Sequence, residues 1–311
     1  MQPKQITSTS NAIIKEAARL KRKRNRYQGR LFLAEGEDLL ESALERGLTP
    51  RQVFVLQGYE ELPACQAVMA GQPKRPGPVV PPLEAYVCSQ AVMEKLSQLG
   101  SGSRVISVFE MLDRKFPAGL DEPGAAGGGE PGGSDEPGAP GSAELPAGPL
   151  LYLAGAGDPG NVGTLLRSVA ALGAQAVVLG PETADPYSAK SLRATMGAIF
   201  QVPFFLTVNP ETLVSWADRA GAAIICADAH AGEPAWQAPL AGRFVLVMGP
   251  ERQGIQRRLL DAAQATVRIP QTEAAESLNV AMAATAILYE ALRQRAGAGS
   301  AGSGGSAGGA S

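Results

Sequence analysis

Short apolar runs alternate along the chain with segments whose apolar residues recur at helical spacing. In the first third, RLFLA, QVFVL, AYVCS and RVISVFE are separated by helix-type segments such as EGEDLLESALERG. After residue 149 the alternation resumes with LLYLAG, AQAVVLG, VPFFLT, AAIICAD, RFVLVMG and ATVRIP. Apolar strands joined by helices are typical of a largely parallel sheet covered on both faces. The pattern therefore predicts a small α/β domain followed by a larger one.

A basic amphipathic helix is predicted over residues 9–26, ahead of the first strand. Ile13, Ala17 and Leu20 recur at helical spacing on one side, and Lys and Arg residues occupy the other. The first thirty residues hold nine basic residues against the single acid Glu16. Such a helix suits salt-sensitive contacts with phosphates.

Two segments are too poor in large apolar residues to form a core. Residues 120–149 are rich in Gly, Pro, Ala and acids, and residues 296–311 consist of Ala, Gly and Ser. This composition predicts that residues 120–149 are a disordered linker between domains at 1–119 and 150–295, and that residues 296–311 are a disordered tail. Without the six acids of residues 121–144, 28 basic residues face 24 acidic ones, so the formal net charge changes from −2 to +4.

The sequence disfavours several classes of protein. No apolar run approaches the roughly 18 to 20 residues that span a bilayer, and no secretory signal is evident, so a cytoplasmic protein is expected. Cys65, Cys88 and Cys226 are far apart and are expected to be buried small hydrophobes rather than metal ligands. His230 is the single histidine and lies in the polar segment DAHAGEP, which disfavours zinc sites and Ser-His-Asp catalysis.

The glycine-rich turn GAGDPGNVG after the strand LLYLAG raises the question of a dinucleotide site. A dinucleotide fingerprint needs an acid at the tip of the next strand to bind a ribose. Here that strand ends in Gly180 and Pro181, and no GxxxxGK[ST] sequence occurs. A nucleotide-dependent oxidoreductase is therefore a weak alternative.

Three stretches of the second domain match one family in residue type, order and spacing. They are NVGTLLRS, LVMGPERQGI and IPQTEAAESLNVAMAATAILYE. The residues that carry the match are Asn161, Gly163, Arg167, Gly249, Glu251, Gly254, Pro270, Ser277, Asn279 and Glu290. With these motifs the chain resembles the SpoU (TrmH) RNA 2'-O-ribose methyltransferases of the SPOUT superfamily.

The resemblance implies a fold, a cofactor and an assembly. The second domain would be a trefoil-knotted sheet, and the first would be a substrate-binding domain similar to a ribosomal RNA-binding protein. S-adenosyl-L-methionine would lie against backbone groups near Gly249, Ile269 and Leu278. Two subunits would pair through the knotted domains, with Arg167 reaching the cofactor pocket of the neighbour.

The resemblance also implies the catalytic roles. Arg167 would activate the ribose 2'-hydroxyl together with an RNA phosphate, and Asn161 would help to position it. Because a free guanidinium stays protonated at neutral pH, we favour an orienting and phosphate-binding role for Arg167 over proton acceptance. Glu251, Ser277 and Asn279 would complete the site.

Each of these assignments has a structural alternative. Ser277 or Asn279 at the start of the last helix would also serve as a cap, and Glu251 would be favoured near a helix start without any function. Arg193 matches a position that commonly faces RNA, yet an ordinary surface charge is an equally good interpretation.

The sequence thus predicts S-adenosylmethionine-dependent methylation of an RNA ribose, with 23S ribosomal RNA favoured over transfer RNA because of the separate substrate domain. A transfer-RNA methyltransferase and a non-catalytic RNA-binding or ribosome-assembly protein on the same fold are the alternatives. No metal and no membrane partner are expected.

Overall fold

The computed structural model describes residues 3–70, 83–100, 102–117, 148–231, 233–250, 253–272 and 277–301. Residues 120–149, predicted as a linker, fall outside these ranges except for 148 and 149. None of the described helices has the length and apolarity needed to cross a membrane.

The first domain is a five-stranded mixed sheet with helices on its faces. Its strands are β1 (Lys4–Ile6), β2 (Leu31–Glu35), β3 (Gln52–Leu56), β4 (Glu84–Cys88) and β5 (Val105–Glu110). Its helices are α1 (Ala12–Arg19), α2 (Lys23–Gly29), α3 (Glu37–Glu45), α4 (Pro63–Met69) and α5 (Gln90–Leu96). The strand order is β1-β4-β3-β5-β2, with β5 antiparallel to β2 and β3.

The prediction of one basic helix over residues 9–26 is wrong, because the structure has two helices there. Asn11 begins α1 by accepting a hydrogen bond from the Ile13 backbone amide at 2.9 Å. The backbone turns after α1, and Arg26 of α2 donates to the carbonyls of Leu20 and Lys21 at 2.9 and 2.8 Å. Arg26 is therefore only 4% exposed, and the basic residues do not form one continuous face.

The second domain is built on a seven-stranded parallel sheet in the order β10-β12-β9-β11-β6-β7-β8. Its strands are β6 (Leu150–Leu153), β7 (Ala176–Leu179), β8 (Phe204–Phe205), β9 (Ala223–Ala227), β10 (Glu233–Pro234), β11 (Phe244–Met248) and β12 (Ala265–Arg268). Its helices are α6 (Pro159–Leu172), α7 (Ala189–Thr195), α8 (Pro210–Ala220), α9 (Arg257–Asp261) and α10 (Val280–Ala301).

Both faces of the second sheet are covered, which confirms the interpretation of its continuously apolar strands. Along β6, Leu151 and Leu153 pack in the cluster that holds α6 and α10. Leu150 and Tyr152, which point the other way, pack in the cluster that holds α8 and α9. The α/β class predicted from the sequence is confirmed.

The last helix is longer than predicted. It runs to Ala301, so residues 296–301 are helical where a disordered tail was expected. Extending an existing helix adds one hydrogen bond for each residue that is fixed, and alanines offset part of the cost of the glycines. Residues 302–311 lie outside the described residues.

The three cysteines are buried, as predicted. Burial raises the pKa of the thiols of Cys65, Cys88 and Cys226 to about 12. A thiol with such a pKa stays protonated at neutral pH, so none of the three is an activated nucleophile.

The two domains share a buried aromatic interface. Tyr187 of the second domain packs against Phe32 of β2 with ring centroids 4.8 Å apart, and Phe200 packs against Phe109 of β5 at 5.1 Å. Arg26 forms a buried ion pair with Asp185, whose carboxylate also accepts from the Tyr27 hydroxyl at 3.2 Å. Direct contact therefore fixes the placement of the domains, independently of the segment that joins them in sequence.

Candidate active site

A cavity of about 390 Å³ opens at the carboxyl ends of three neighbouring strands of the second sheet. Its wall includes Ala227, Met248 and Arg268, which are the last residues of β9, β11 and β12. Ligands of parallel α/β sheets bind at this edge. All three residues predicted to contact the cofactor, and the predicted catalytic Ser277, line the same cavity. These four residues are Gly249, Ile269, Ser277 and Leu278.

The cavity combines apolar walls with a few polar groups. Met248, Ile255 and Val267 are among its apolar residues, and Asp228 contributes a carboxylate. The side-chain oxygen Oε1 of Gln271 is buried and has no hydrogen-bond partner among the described residues. The cavity also falls within the roughly 300–1,000 Å³ of small-molecule sites. These residues fit S-adenosylmethionine, which has an apolar ring edge, an amino donor and positive charge.

Gly249 lets a loop fold back against the end of β11. A Cβ at this position would lie 2.8 Å from Cγ1 of Ile255 and 2.9 Å from the carbonyl carbon of Gly254. Gly254 adopts φ +69°, a left-handed conformation that favours glycine, and its amide donates to Pro250. The two glycines thus shape one wall of the cavity.

The structure brings two predicted catalytic residues together across 118 positions of sequence. Nδ2 of Asn279 donates to Oδ1 of Asn161 at 3.0 Å. Oδ1 of Asn279 also accepts from the backbone amide of Ala281 at 2.9 Å, so it caps the first turn of α10. The capping interpretation and the positioning interpretation of Asn279 are therefore compatible.

The start of α6 is held by an acidic cap. Asp158 accepts from the backbone amides of Gly160 and Asn161 at 2.6 and 3.2 Å. Lys190 of α7 donates to the same carboxylate at 2.7 Å, and this contact is the main reason why the pKa of Asp158 lies below its usual value. This carboxylate orients the turn that carries Asn161.

Arg167 lies apart from the cavity of its own chain. It is exposed on α6, and its side chain forms no hydrogen bond or ion pair with any other described residue. Arg193 is likewise exposed, on the neighbouring helix α7. Glu251, the remaining predicted catalytic residue, lies outside the described residues. His230 is exposed at the cavity wall, and no cluster of metal-ligating side chains occurs in the described ranges.

Comparison with known proteins covers both domains. The model of the SpoU rRNA Methylase family matches residues 149–289, and that of an MRM3-like substrate binding domain matches residues 11–106. The 23S rRNA (guanosine-2'-O-)-methyltransferase RlmB of Bordetella pertussis is 31% identical over 209 residues, which cover 66% of this chain and 77% of that protein. The chain belongs to the SpoU rRNA methylase family.

Other SpoU-related proteins match nearly the whole chain. The 23S rRNA (guanosine(2553)-2'-O)-methyltransferase RlmP of Bacillus subtilis is 26% identical over 289 residues, 92% of this chain and 98% of that protein. The crystal structure of an AdoMet-bound rRNA methyltransferase from Sinorhizobium meliloti superposes with a TM-score of 0.75 at 26% identity, covering 94% of this chain and 99% of that one. The similarity to these proteins thus extends over both domains of this chain.

Gly163, one of the SpoU motif residues, serves helix packing rather than approach to a ligand. The sequence pattern placed it at the end of the glycine-rich turn GAGDPGNVG, whereas it lies within α6. A Cβ there would lie 2.3 Å from the carbonyl oxygen of Ser191 and 2.6 Å from Cβ of Ala194, both in α7. The absence of a side chain therefore allows α6 and α7 to cross closely.

Gly163→Ala is expected to lower the free energy of unfolding by about 1–3 kcal/mol, because backbone atoms of α7 cannot move away from the new methyl group without repacking. Urea denaturation followed by circular dichroism measures this change. Gly157→Ala is the matched control, since nothing lies within 4 Å of a Cβ at Gly157. Equal stabilities of the two variants would contradict the packing role.

Several polar residues of the cavity were not predicted from the sequence, among them Asp228, Arg268 and Gln271. Asp228 follows β9 at the edge of the sheet where ligands bind, so the strand pattern alone was a usable signal. Arg268 ends β12 and offered the same signal. Gln271 carried no signal, because its unpartnered oxygen is evident only once the surrounding loops are folded.

Proposed function

We propose that the protein transfers the methyl group of S-adenosylmethionine to a ribose 2'-hydroxyl of RNA and that its substrate is 23S ribosomal RNA. The observation that carries the proposal is the cavity in which Gly249, Ile269, Ser277 and Leu278 meet at the strand ends of a SpoU domain. The names of the relatives from Bordetella and Bacillus support the choice of reaction and of RNA.

The residues of the cavity account for cofactor binding. Bound S-adenosylmethionine supplies a methyl group on a positively charged sulfur, which needs no further activation. Gln271 offers its free oxygen to an amino donor, and Asp228 offers negative charge near the cationic groups. The apolar residues Leu278 and Ile255 exclude water from the reacting atoms.

Arg167 binds a phosphate of the RNA and orients the ribose. A guanidinium presents several donors in a fixed plane and stays protonated at neutral pH, so it suits a phosphate better than it suits proton acceptance. In α6, Arg167 has no competing ion pair with a described residue, and it is exposed to an incoming RNA. The Asn161–Asn279 hydrogen bond joins the starts of α6 and α10 beside Ser277 and Leu278.

Two copies of the chain pair so that Arg167 of one reaches the cavity of the other. The chain alone leaves Arg167 outside the residues that line its own cavity. On α10, Met282 and Tyr289 are each 61% exposed and Leu292 is 38% exposed. They follow one another at intervals of seven and three residues, so they form one apolar face that a second copy would cover. The knotted threading expected for the family belongs to the same proposal.

The double variant Met282→Glu, Tyr289→Glu is expected to be monomeric, because it would bury two carboxylates at the interface. Light scattering after size-exclusion chromatography measures the mass, and the wild type is expected at twice the mass of one chain. Met196→Glu, at a methionine 53% exposed at the end of α7, should leave the dimer intact. A monomeric wild type would contradict this pairing.

We assign RNA binding to residues 1–119 and catalysis to residues 150–295, and we place the protein in the cytoplasm, where ribosomes assemble. The exposed basic residues of α1, α2 and the turn between them supply phosphate contacts for the first domain, and among them are Lys15, Arg19, Arg22, Lys23 and Arg24. Arg26 does not belong to this set, because it is buried against Asp185.

Methyl transfer from labelled S-adenosylmethionine to purified 23S rRNA tests the proposal, with transfer RNA as the alternative substrate. Nucleoside analysis by mass spectrometry is expected to show one 2'-O-methylated nucleoside per 23S molecule. Label in transfer RNA alone would contradict the choice of substrate. Absence of both transfer and cofactor binding would favour a non-catalytic RNA-binding protein.

A further inference from the structure

A second cavity, of about 490 Å³, lies in the first domain between α1, α2 and one end of the sheet. Val108, which lines it, packs with Leu33 on one face of this sheet. Phe32 and Phe109 lie on the opposite face, in the cluster that contacts the second domain. The cavity therefore faces away from the domain interface, on the side covered by the basic helices.

The floor of this cavity is a row of register partners on three adjacent strands. Gln52 of β3 is paired with Glu84 of β4 on one side and with Val108 of β5 on the other. Side chains of directly paired residues point to the same face of a sheet. The carboxylate of Glu84 and the amide of Gln52 thus lie side by side beneath the two helices.

Hydrogen bonds fix the orientation of the Glu84 carboxylate. The Tyr86 hydroxyl and Nε2 of Gln52 both donate to Oε2 of Glu84, at 2.6 and 3.1 Å. The bond from Tyr86 is the main reason why the pKa of Glu84 lies below its usual value, so the group is ionised at neutral pH. Within the described part of the chain, no donor reaches Oε1 of Glu84 or Oε1 of Gln52. Two acceptor oxygens on neighbouring side chains therefore remain available.

Around its floor, the cavity is lined by two arginines and one glutamate, so the charge there is net positive. Arg19 and Gln28 line it from α1 and α2 and are exposed. Arg24 lies one turn before Gln28, on the same side of α2. Leu20 and Leu31 provide apolar surface between rim and floor. The cavity thus has cations near its entrance, apolar surface below them and acceptor oxygens at its floor. This arrangement suits a nucleotide whose phosphate stays at the surface while its base enters the cavity.

We propose that this cavity binds one unstacked guanine nucleotide of the RNA substrate, with Glu84 and Gln52 accepting from the base and Arg19 contacting a flanking phosphate. Guanine presents two neighbouring donors, N1–H and the exocyclic amino group, on its Watson–Crick edge. Adenine and cytosine present an amino donor beside an acceptor, and uracil presents one N–H between two acceptors. Only guanine satisfies two adjacent acceptors at once.

This inference rests on the proposed function in that it takes RNA as the substrate. Since the cavity faces away from the second domain, the guanine bound there is not the nucleotide that is methylated. It selects the RNA and raises its affinity, whereas the methyl-transfer step takes place elsewhere. Loss of the site is therefore expected to raise KM for RNA and to leave kcat nearly unchanged.

Binding of four labelled RNA nonamers to the full-length protein tests the site. One nonamer is all adenine, and the others carry a single central guanine, cytosine or uracil. Fluorescence anisotropy is expected to show the guanine nonamer binding at least about fivefold more tightly than the others, the lower end of what one bidentate base contact provides. Glu84→Gln should remove this preference without changing the affinity for the adenine nonamer.

Glu94→Gln is the matched control, because Glu94 is an exposed carboxylate of the same domain on α5, outside the cavity. If Glu84→Gln does not fold, Gln52→Met removes the second acceptor and is expected to reduce the guanine preference. Equal affinities for the four nonamers, or a preference that survives in the folded variants, would overturn the proposal.

The same preparations separate this inference from the proposed function. Methyl transfer to 23S rRNA without a guanine preference would overturn the guanine site and leave the methyltransferase assignment in place. A guanine preference that Glu84→Gln removes, in a protein that transfers no methyl group, would support the site and contradict the proposed reaction.

Discussion

Replacing Arg167 with alanine is expected to lower kcat for methyl transfer at least about 100-fold, the lower end of what a positioned charged group contributes to a transition state. The variant should fold and bind S-adenosylmethionine like the wild type. The Arg167 side chain is exposed, forms no hydrogen bond or ion pair with a described residue and does not line the cofactor cavity of its own chain. Single-turnover transfer of labelled methyl to RNA, together with calorimetric titration of the cofactor, measures both quantities.

Two further variants sharpen this test. Arg167→Lys keeps the positive charge but loses the planar donor set, so an intermediate rate is expected if orientation of a phosphate matters. Arg219→Ala removes an exposed arginine from α8, on the other face of the sheet, and should leave the rate unchanged. Wild-type turnover by Arg167→Ala would refute its assigned role.

The largest effect on stability is expected at the ion pair between the domains. Arg26 and Asp185 have side chains only 5% and 8% exposed, so replacing one partner leaves the other charge buried without compensation. Asp185→Asn should lower the free energy of unfolding by about 3–5 kcal/mol. Urea denaturation monitored by tyrosine fluorescence and circular dichroism measures this loss.

The ion pair of Arg51 and Glu110 is the exposed control for the buried pair, since its side chains are 42% and 54% exposed. Arg51→Ala should cost no more than about 1 kcal/mol, because water screens an exposed pair. The double variant Arg26→Met, Asp185→Leu should be more stable than Asp185→Asn, since it buries no unpaired charge. A loss below about 1 kcal/mol for Asp185→Asn would show that the interface does not depend on this pair.

The parts of the fold that the sequence predicted are those decided by local pattern. Strands such as LLYL and FVLVM are apolar at every position because helices cover both faces, and that pattern is visible without a structure. The resemblance to the SpoU family likewise implied that Gly249, Ser277 and Leu278 belong to one site, and all three line the same cavity. Neither conclusion required knowledge of distant contacts.

The features that the sequence did not predict depend on partners far away along the chain. Arg26 looked like one more exposed charge of a basic helix, yet Asp185, 159 residues later, draws it into the interface. Gly163 looked like a turn residue because its neighbour in α7 could not be identified from sequence. The side chains of Glu84 and Gln52 are neighbours only because the register of β3 and β4 pairs these two residues.

A map of 2'-O-methylated positions in 23S rRNA, from cells that carry this protein and from cells that lack it, tests the central claim most directly. We expect one position to lose its methyl group in the cells without the protein. Wild-type protein should restore that modification, whereas Arg167→Ala should not. Identical maps from the two kinds of cell, or full restoration by Arg167→Ala, would contradict the account.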